Sequence, residues 1–210
     1  MEFNVWLAFA AASTTLLLVP GPTVILVLSY AVSQGKRVAL ATVAGVALGD
    51  LIAMTASLAG LGALVLASAT LFVALKWVGA LYLIYLGIKL FRSASSASVI
   101  EVAEGKTLPA RGVFGHALAV TALNPKSIVF FIAFVPQFVR PDAPLLPQFA
   151  ILIATFVGLA AINALAYALL ADRLRQRIAK PSVLAWLSRL GGSALIAMGV
   201  ATVAFRRSTS

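Results

Sequence analysis

The chain has 210 residues, of which 62% are hydrophobic and only 10% charged, and its mean hydropathy is +1.06. That is more apolar side chain than a soluble core of this length can hide, so the composition specifies an integral membrane protein. The absence of cysteine excludes disulfides and thiolate metal sites, one histidine and six carboxylates argue against a metal centre, and the net charge of +10 lies in short loop runs rather than on a face suited to nucleic acid.

Apolar runs of about 20 residues, the length that crosses ~30 Å of hydrocarbon as helix, recur six times. With no alternation of a membrane barrel, the expectation is an all-α membrane protein of six transmembrane helices. Segment 1 runs from about Val5 to Tyr30. It follows an N-terminus without the basic region of a secretory signal and without a small-residue cleavage pattern, so it is expected to stay in the mature protein. Pro20, Gly21 and Pro22 stand in its middle. Each proline lacks an N–H and crowds the carbonyl four residues earlier, while glycine permits almost any backbone angle, so the helix should be interrupted there.

Segment 2, about Val38 to Leu66, carries Asp50. A lone charge at that depth costs at least ~2.5 kcal/mol, which marks Asp50 as a candidate for a coupling proton or a substrate ammonium. The structural alternative is an ion pair with Lys126. Thr42, Gly45 and Gly49 share a small face beside it, where another helix can come close. Segment 3, about Leu71 to Phe91, brings Tyr82, Tyr85, Gly79 and Gly87; the glycines are packing positions. The polar, Ser-rich stretch that follows is the hinge of the chain and divides it into residues 1–95, a linker 96–112 and residues 113–210.

Segment 4, about Val113 to Val139, repeats the interruption with Asn124, Pro125 and Lys126, and again with Pro136 beside Gln137. A half-helix starting after such a break points the positive end of its dipole at the gap, a seat for a carboxylate. Lys126 either snorkels or faces that carboxylate. Segment 5, about Leu145 to Leu170, offers Thr155, Asn163 and Tyr167, each able to serve as a cavity group or an interhelical bond, and segment 6 runs from about Leu184 to Phe205. His116 is expected at the interface and not as a proton relay.

Eleven basic residues, among them Lys36, Arg37, Lys89, Arg92, Arg173 and Lys180, fall on one side if all six segments span, against Lys76, Arg140, Arg206 and Arg207 on the other. Loops 1, 3 and 5 are therefore expected in the cytoplasm and both termini outside, the N-terminus moving inside if segment 1 is re-entrant. Shifting the chain by 113 residues lays Thr42, Gly45 and Asp50 on Thr155, Gly158 and Asn163. A shift of 112 lays Gly79 and Gly87 on Gly191 and Gly199, and one of 103 lays Pro22 on Pro125. Two related halves of three helices each must be inverted in the membrane, the arrangement of secondary transporters with a midplane site between broken helices. No nucleophile elbow, phosphate-binding glycine loop or His-Glu metal motif points to an enzyme.

Two stretches, VPGPTVILVLSYAVSQGKRVALATVAGVALGD (residues 19–50) and ALNPKSIVFFIAFVPQFV (residues 122–139), resemble the signature regions of the lysine exporter family, LysE/RhtB, in its RhtB-like branch. The resemblance spans the chain in length, segment count and motif order. It implies efflux of amino acids or close derivatives across a bacterial inner membrane, driven by protons, with no cofactor and with a homodimer left open. It also implies a functional core of Pro-Gly-Pro, Asp50, Asn124 and Pro125. Exporters of basic amino acids in the family carry a further acid shortly after Asn-Pro, where this chain has apolar Ile128 to Phe131. A neutral substrate such as homoserine, threonine or leucine is therefore favoured over lysine or arginine. The expected site comprises Asp50, Lys126, Asn124, Gly21, Pro22, Pro125, Thr42 and Asn163. The rival readings are an ion or metal transporter, which should show more intramembrane carboxylates or histidines, and a non-transporting scaffold, which would need no interrupted helices.

Overall fold

The computed structural model describes residues 1–19, 22–34, 36–93, 109–171 and 181–205. Within these the chain is helical, without a strand: α1 Phe3–Leu18, α2 Pro22–Gln34, α3 Lys36–Ala67, α4 Ala69–Ser93, α5 Ala110–Ala122, α6 Pro125–Phe134, a 3-10 turn Val135–Phe138, α7 Leu145–Leu169 and α8 Pro181–Phe205. Three helical stretches, Val38–Ala67, Ala69–Arg92 and Leu145–Leu169, are long and apolar enough to cross a membrane alone. Two bent pairs pass the same test together, α1 with α2 at 57° and α5 with α6 at 45°, giving up to five spans among the described residues. The expected linker 96–112 lies mostly outside these residues, and its end proves helical, because α5 begins at Ala110 directly after Pro109.

Proline stands at both breaks. Val19, before Pro20, leaves the helix for φ −75°, ψ 118°, the extended region to which the proline ring drives its predecessor. Pro22 and Pro125 then open α2 and α6 at the first helical position, where a missing N–H costs nothing. Leu123 ends α5 at φ −94°, ψ 7°. The carbonyl of Asn124 accepts the N–H of Ile128 at 3.1 Å, so Asn124 starts the new helix. Pro136 ends α6 in the 3-10 turn.

Packing follows the small residues, since lipid offers apolar side chains no advantage in meeting each other and close backbone approach matters more. A methyl group on Gly45 would lie 2.5 Å from the carbonyl oxygen of Phe114, and one on Gly49 2.7 Å from Thr121 Cβ, so α3 and α5 are in direct contact. The α4–α8 contact is reciprocal. Gly87 abuts the Gly192 carbonyl and Ile196, while Gly199 abuts the Ala80 carbonyl and Ile84. One apolar cluster gathers Phe9, Phe72, Leu83, Phe130, Phe131, Phe134 and Phe156, and a second joins α2, α3, α5 and α7 through Val27, Leu28, Val46, Ala117 and Tyr167. Leu66, Leu123, Leu146 and Ile162 are largely exposed, as side chains facing lipid are.

Candidate functional site

The two interruptions meet. A cavity of about 130 Å3 is lined by Thr23 at the start of α2, Asp50 on α3, Asn124 and Ser127 at the start of α6, and Asn163 on α7. Its apolar walls come from Val19, Val46, Leu86, Phe130, Phe131 and Phe156 among others. At roughly 30 Å3 per water this space equals about four waters, the scale of a small metabolite rather than of a drug-sized ligand at ~300 Å3 or more. The first turns of α2 and α6 border it through Thr23 and Ser127, so the positive ends of two helix dipoles lie at its edge.

Asp50 stands near the middle of α3, about 21 Å along the axis from Lys36, and is 6% exposed. The ion pairs among the described residues lie elsewhere, at Arg140 with Glu2 and Asp142. A charged carboxylate here faces a cost of ~2.5–3.5 kcal/mol, which a bound proton or a cationic substrate group would remove.

The end of α1 shows how an open backbone survives at this depth. The last carbonyls of a helix have no partner within it. Here Val19 N–H donates to the Leu16 carbonyl at 3.1 Å, the Asn163 side-chain amide to that of Leu17 at 2.9 Å, and the Tyr167 hydroxyl to that of Leu18 at 3.1 Å. Two side chains of α7 thus hold the unwound end in place. Asn163 therefore does two things, capping α1 and lining the cavity.

The expected site residues divide accordingly. Asp50, Asn124 and Asn163 come together in the cavity. Gly21 and the side chains of Pro22, Pro125 and Lys126 lie outside the described residues, as does the suggested ion pair of Asp50 with Lys126. Thr42 is not among the residues lining the cavity: it is fully buried two turns from Asp50, and its hydroxyl donates to the Val38 carbonyl of its own helix at 3.1 Å. Thr155 accepts the indole N–H of Trp6 at 2.9 Å and Tyr85 is 58% exposed, so neither lines the cavity. His116, exposed, pairs with the Tyr30 hydroxyl at 2.7 Å. Sequence reasoning missed Thr23 and Ser127, whose signal is their place in the first turn after each break, and the ring pair Phe131–Phe156, 4.9 Å between centroids and edge-on. Among the described residues no group of three histidines or carboxylates could hold a metal.

Residues 14–204 match the family described as LysE type translocator. A homoserine/homoserine lactone efflux protein of Salmonella typhimurium is 36% identical over 95% of this chain and 96% of its own length. An uncharacterized membrane protein of Vibrio cholerae is 33% identical over 95% and 97%. A leucine efflux protein of Salmonella choleraesuis is 33% identical over 67% and 66%. No solved structure matches the chain.

Proposed function

The chain belongs to the LysE-type translocator family, and from that premise we infer that it exports amino acids or close derivatives, taking neutral substrates in preference to lysine or arginine. The observation that carries the reading is the cavity in which Asp50, Asn124 and Asn163 meet at two broken helices. Its chemistry suits a zwitterion. The α2 and α6 N-termini, with Lys126 at the start of α6, receive the substrate carboxylate, and Asp50 takes the ammonium or the coupling proton. One carboxylate cannot serve both at once, so proton and substrate compete for it, which is the simplest basis for exchange. The apolar wall of Phe130, Phe131 and Phe156 accepts an uncharged side chain and offers no counter-charge to a basic one.

In this reading α1 with α2 is one interrupted span, α5 with α6 is another, and α8 is the sixth, in two inverted three-helix halves of a bacterial inner-membrane protein with loops 1, 3 and 5 in the cytoplasm. The reciprocal α4–α8 contact supports it. A displacement of 112 residues carries Gly87, Ala80 and Ile84 onto Gly199, Gly192 and Ile196, and converts one half of that contact into the other. A two-fold axis through the interface has that effect. Alternating access then follows from one half rocking against the other.

The test is efflux of homoserine, threonine, leucine and lysine from loaded cells, comparing wild type with Asp50→Asn and Asp50→Glu at matched membrane abundance. Asp50→Asn is expected to abolish efflux driven by the proton gradient, and Asp50→Glu to retain part of it. Normal export by Asp50→Asn would remove Asp50 from its role. Failure of the wild type to export any of the four would overturn the exporter reading.

A further inference from the structure

Thr23 and Ser127 both line the Asp50 cavity, one from the first turn of α2 and the other from the first turn of α6. That position leaves their hydroxyls uncommitted. Inside a helix a serine or threonine hydroxyl can return to the carbonyl four residues back, and Thr14, Thr15, Thr42, Ser57 and Thr202 all do so at 2.7–3.1 Å. In a first turn that carbonyl is not part of the helix. Four residues before Thr23 stands Val19, whose backbone is extended, and four before Ser127 stands Leu123, where α5 has ended. Among the described residues neither hydroxyl makes a hydrogen bond.

The rest of the cavity says which part of a zwitterion these hydroxyls meet. Asp50, 6% exposed and lining the same space, is its negative pole and suits an ammonium. Asn163 already gives an amide hydrogen to the Leu17 carbonyl at 2.9 Å. Phe130, Phe131 and Phe156 offer an apolar side chain a surface and a carboxylate nothing. An ionised carboxylate only accepts hydrogen bonds and a hydroxyl has one hydrogen to give, so two hydroxyls match its two oxygens. Both hydroxyls stand at the positive end of a helix dipole, which favours an anion there. The cavity is small, about 130 Å3, and has the two first turns and Asp50 among its walls.

We propose that Thr23 and Ser127 are the residues that read the substrate carboxylate, each hydroxyl donating to one of its oxygens, so that the site prefers free amino acids to their lactones, esters and amides. The inference rests on the exporter reading and adds to it a rule of selection with two named residues. A lactone or an amide keeps the ammonium and the side chain but presents a neutral carbonyl. Hydrogen bonds to an ionised acceptor are roughly twice as strong as those to a neutral one, so the neutral derivative forfeits about half of what the two hydroxyls contribute. Thr23 belongs to the first half of the chain and Ser127 to the second, so a bound carboxylate also ties α2 to α6 across the two breaks.

The test is uptake of labelled homoserine and leucine into inside-out vesicles with an acid lumen, at matched protein abundance, with homoserine lactone as a competitor. Thr23→Val and Ser127→Ala remove one hydroxyl each with little change of shape. Each should raise the KM for homoserine and for leucine about tenfold, the effect of losing one hydrogen bond to a charged group. Thr23→Ser and Ser127→Thr keep the hydroxyl and should stay within about twofold of wild type. Inhibition by the lactone should weaken by only about threefold in Thr23→Val and Ser127→Ala, the effect of losing a bond to a neutral acceptor. A hydroxyl with a merely structural role would move the free acid and the lactone alike. Unchanged KM in both Thr23→Val and Ser127→Ala, defects that Thr23→Ser and Ser127→Thr share, or equal losses for homoserine and its lactone would each overturn the carboxylate assignment. A loss confined to homoserine, with leucine untouched, would overturn it too, because the hydroxyls would then meet the side chain. Wild-type vesicles that move neither homoserine nor leucine would instead refute the exporter reading, and this inference with it.

Discussion

Tyr167→Phe removes one oxygen atom and leaves the ring in place, which makes it the cleanest probe of how the broken first span is held. The hydroxyl donates to the Leu18 carbonyl at 3.1 Å, and Tyr167 is 6% exposed, so no water is at hand to replace it. An orphaned buried carbonyl costs about 1–3 kcal/mol in soluble proteins. Interhelical hydrogen bonds within membranes average nearer ~0.6 and reach ~1.7 kcal/mol, because the unfolded chain in lipid also finds partners. Taking ~1 kcal/mol, a chain of this size should lose about 2–4 °C in Tm, read by tryptophan fluorescence of the purified protein in detergent. Asn163→Ala, which frees the Leu17 carbonyl, should lose as much or more. The two donors serve adjacent carbonyls of one helix end, so once that end frays the second loss costs less. The double variant should fall short of the sum by roughly 0.5 kcal/mol or more. A Tyr167→Phe protein with Tm unchanged within about 1 °C, or strictly additive losses, would refute the view that α7 clamps the unwound end.

Glycines matched by the internal shift should part company when substituted. Gly45→Ala places a methyl 2.5 Å from the Phe114 carbonyl oxygen and should destabilise by about 1–3 kcal/mol through overpacking, whereas Gly158, with nothing within 4 Å, should accept alanine and gain up to ~1 kcal/mol of helix propensity; paired melting curves decide. In the loop between the 3-10 turn and α7, the hydrogen bond from Arg140 holds the Asp142 carboxyl below the ordinary carboxylate range. A carboxyl with a lowered folded-state pKa stabilises above its unfolded value near ~3.9 and loses that contribution as pH falls through the folded value. Stability measured against pH should therefore fall off less steeply below about pH 4 in Asp142→Asn than in wild type; identical slopes would dismiss the contact as inert. Gln148, whose amide donates to the Arg140 carbonyl at 2.9 Å and accepts the Arg140 N–H at 2.9 Å, closes the same loop. Gln148→Leu should cost about 1–3 kcal/mol by orphaning both groups, and a variant with wild-type Tm would contradict that.

Composition and local pattern were sufficient for the all-helical class of protein and the two places where a helix breaks. These are properties of nearest neighbours in the chain. A proline acts on the residue before it and the carbonyl four before it, so Val19 leaves the helix ahead of Pro20 and α5 stops short of Pro125. Asp50 could be picked out because its cost depends on depth, and depth is counted along the helix. What the local pattern does not contain is which side chains meet. Thr42 shares a helical face with Gly45 yet turns its hydroxyl back to Val38 of its own helix. Asn163 was a polar residue on an apolar helix; its bond to Leu17, 146 positions away, exists because α7 crosses the open end of α1. The partnerless oxygen of Gln137 is likewise invisible in sequence, since it follows from the amide being held by two carbonyls of different helices. The sequence alone determined where the backbone is opened, through the covalent geometry of proline and the cost of charge in lipid. Tertiary structure decided which groups close it again and which remain open to a ligand, because hydrogen-bond satisfaction at depth depends on residues that only folding brings together.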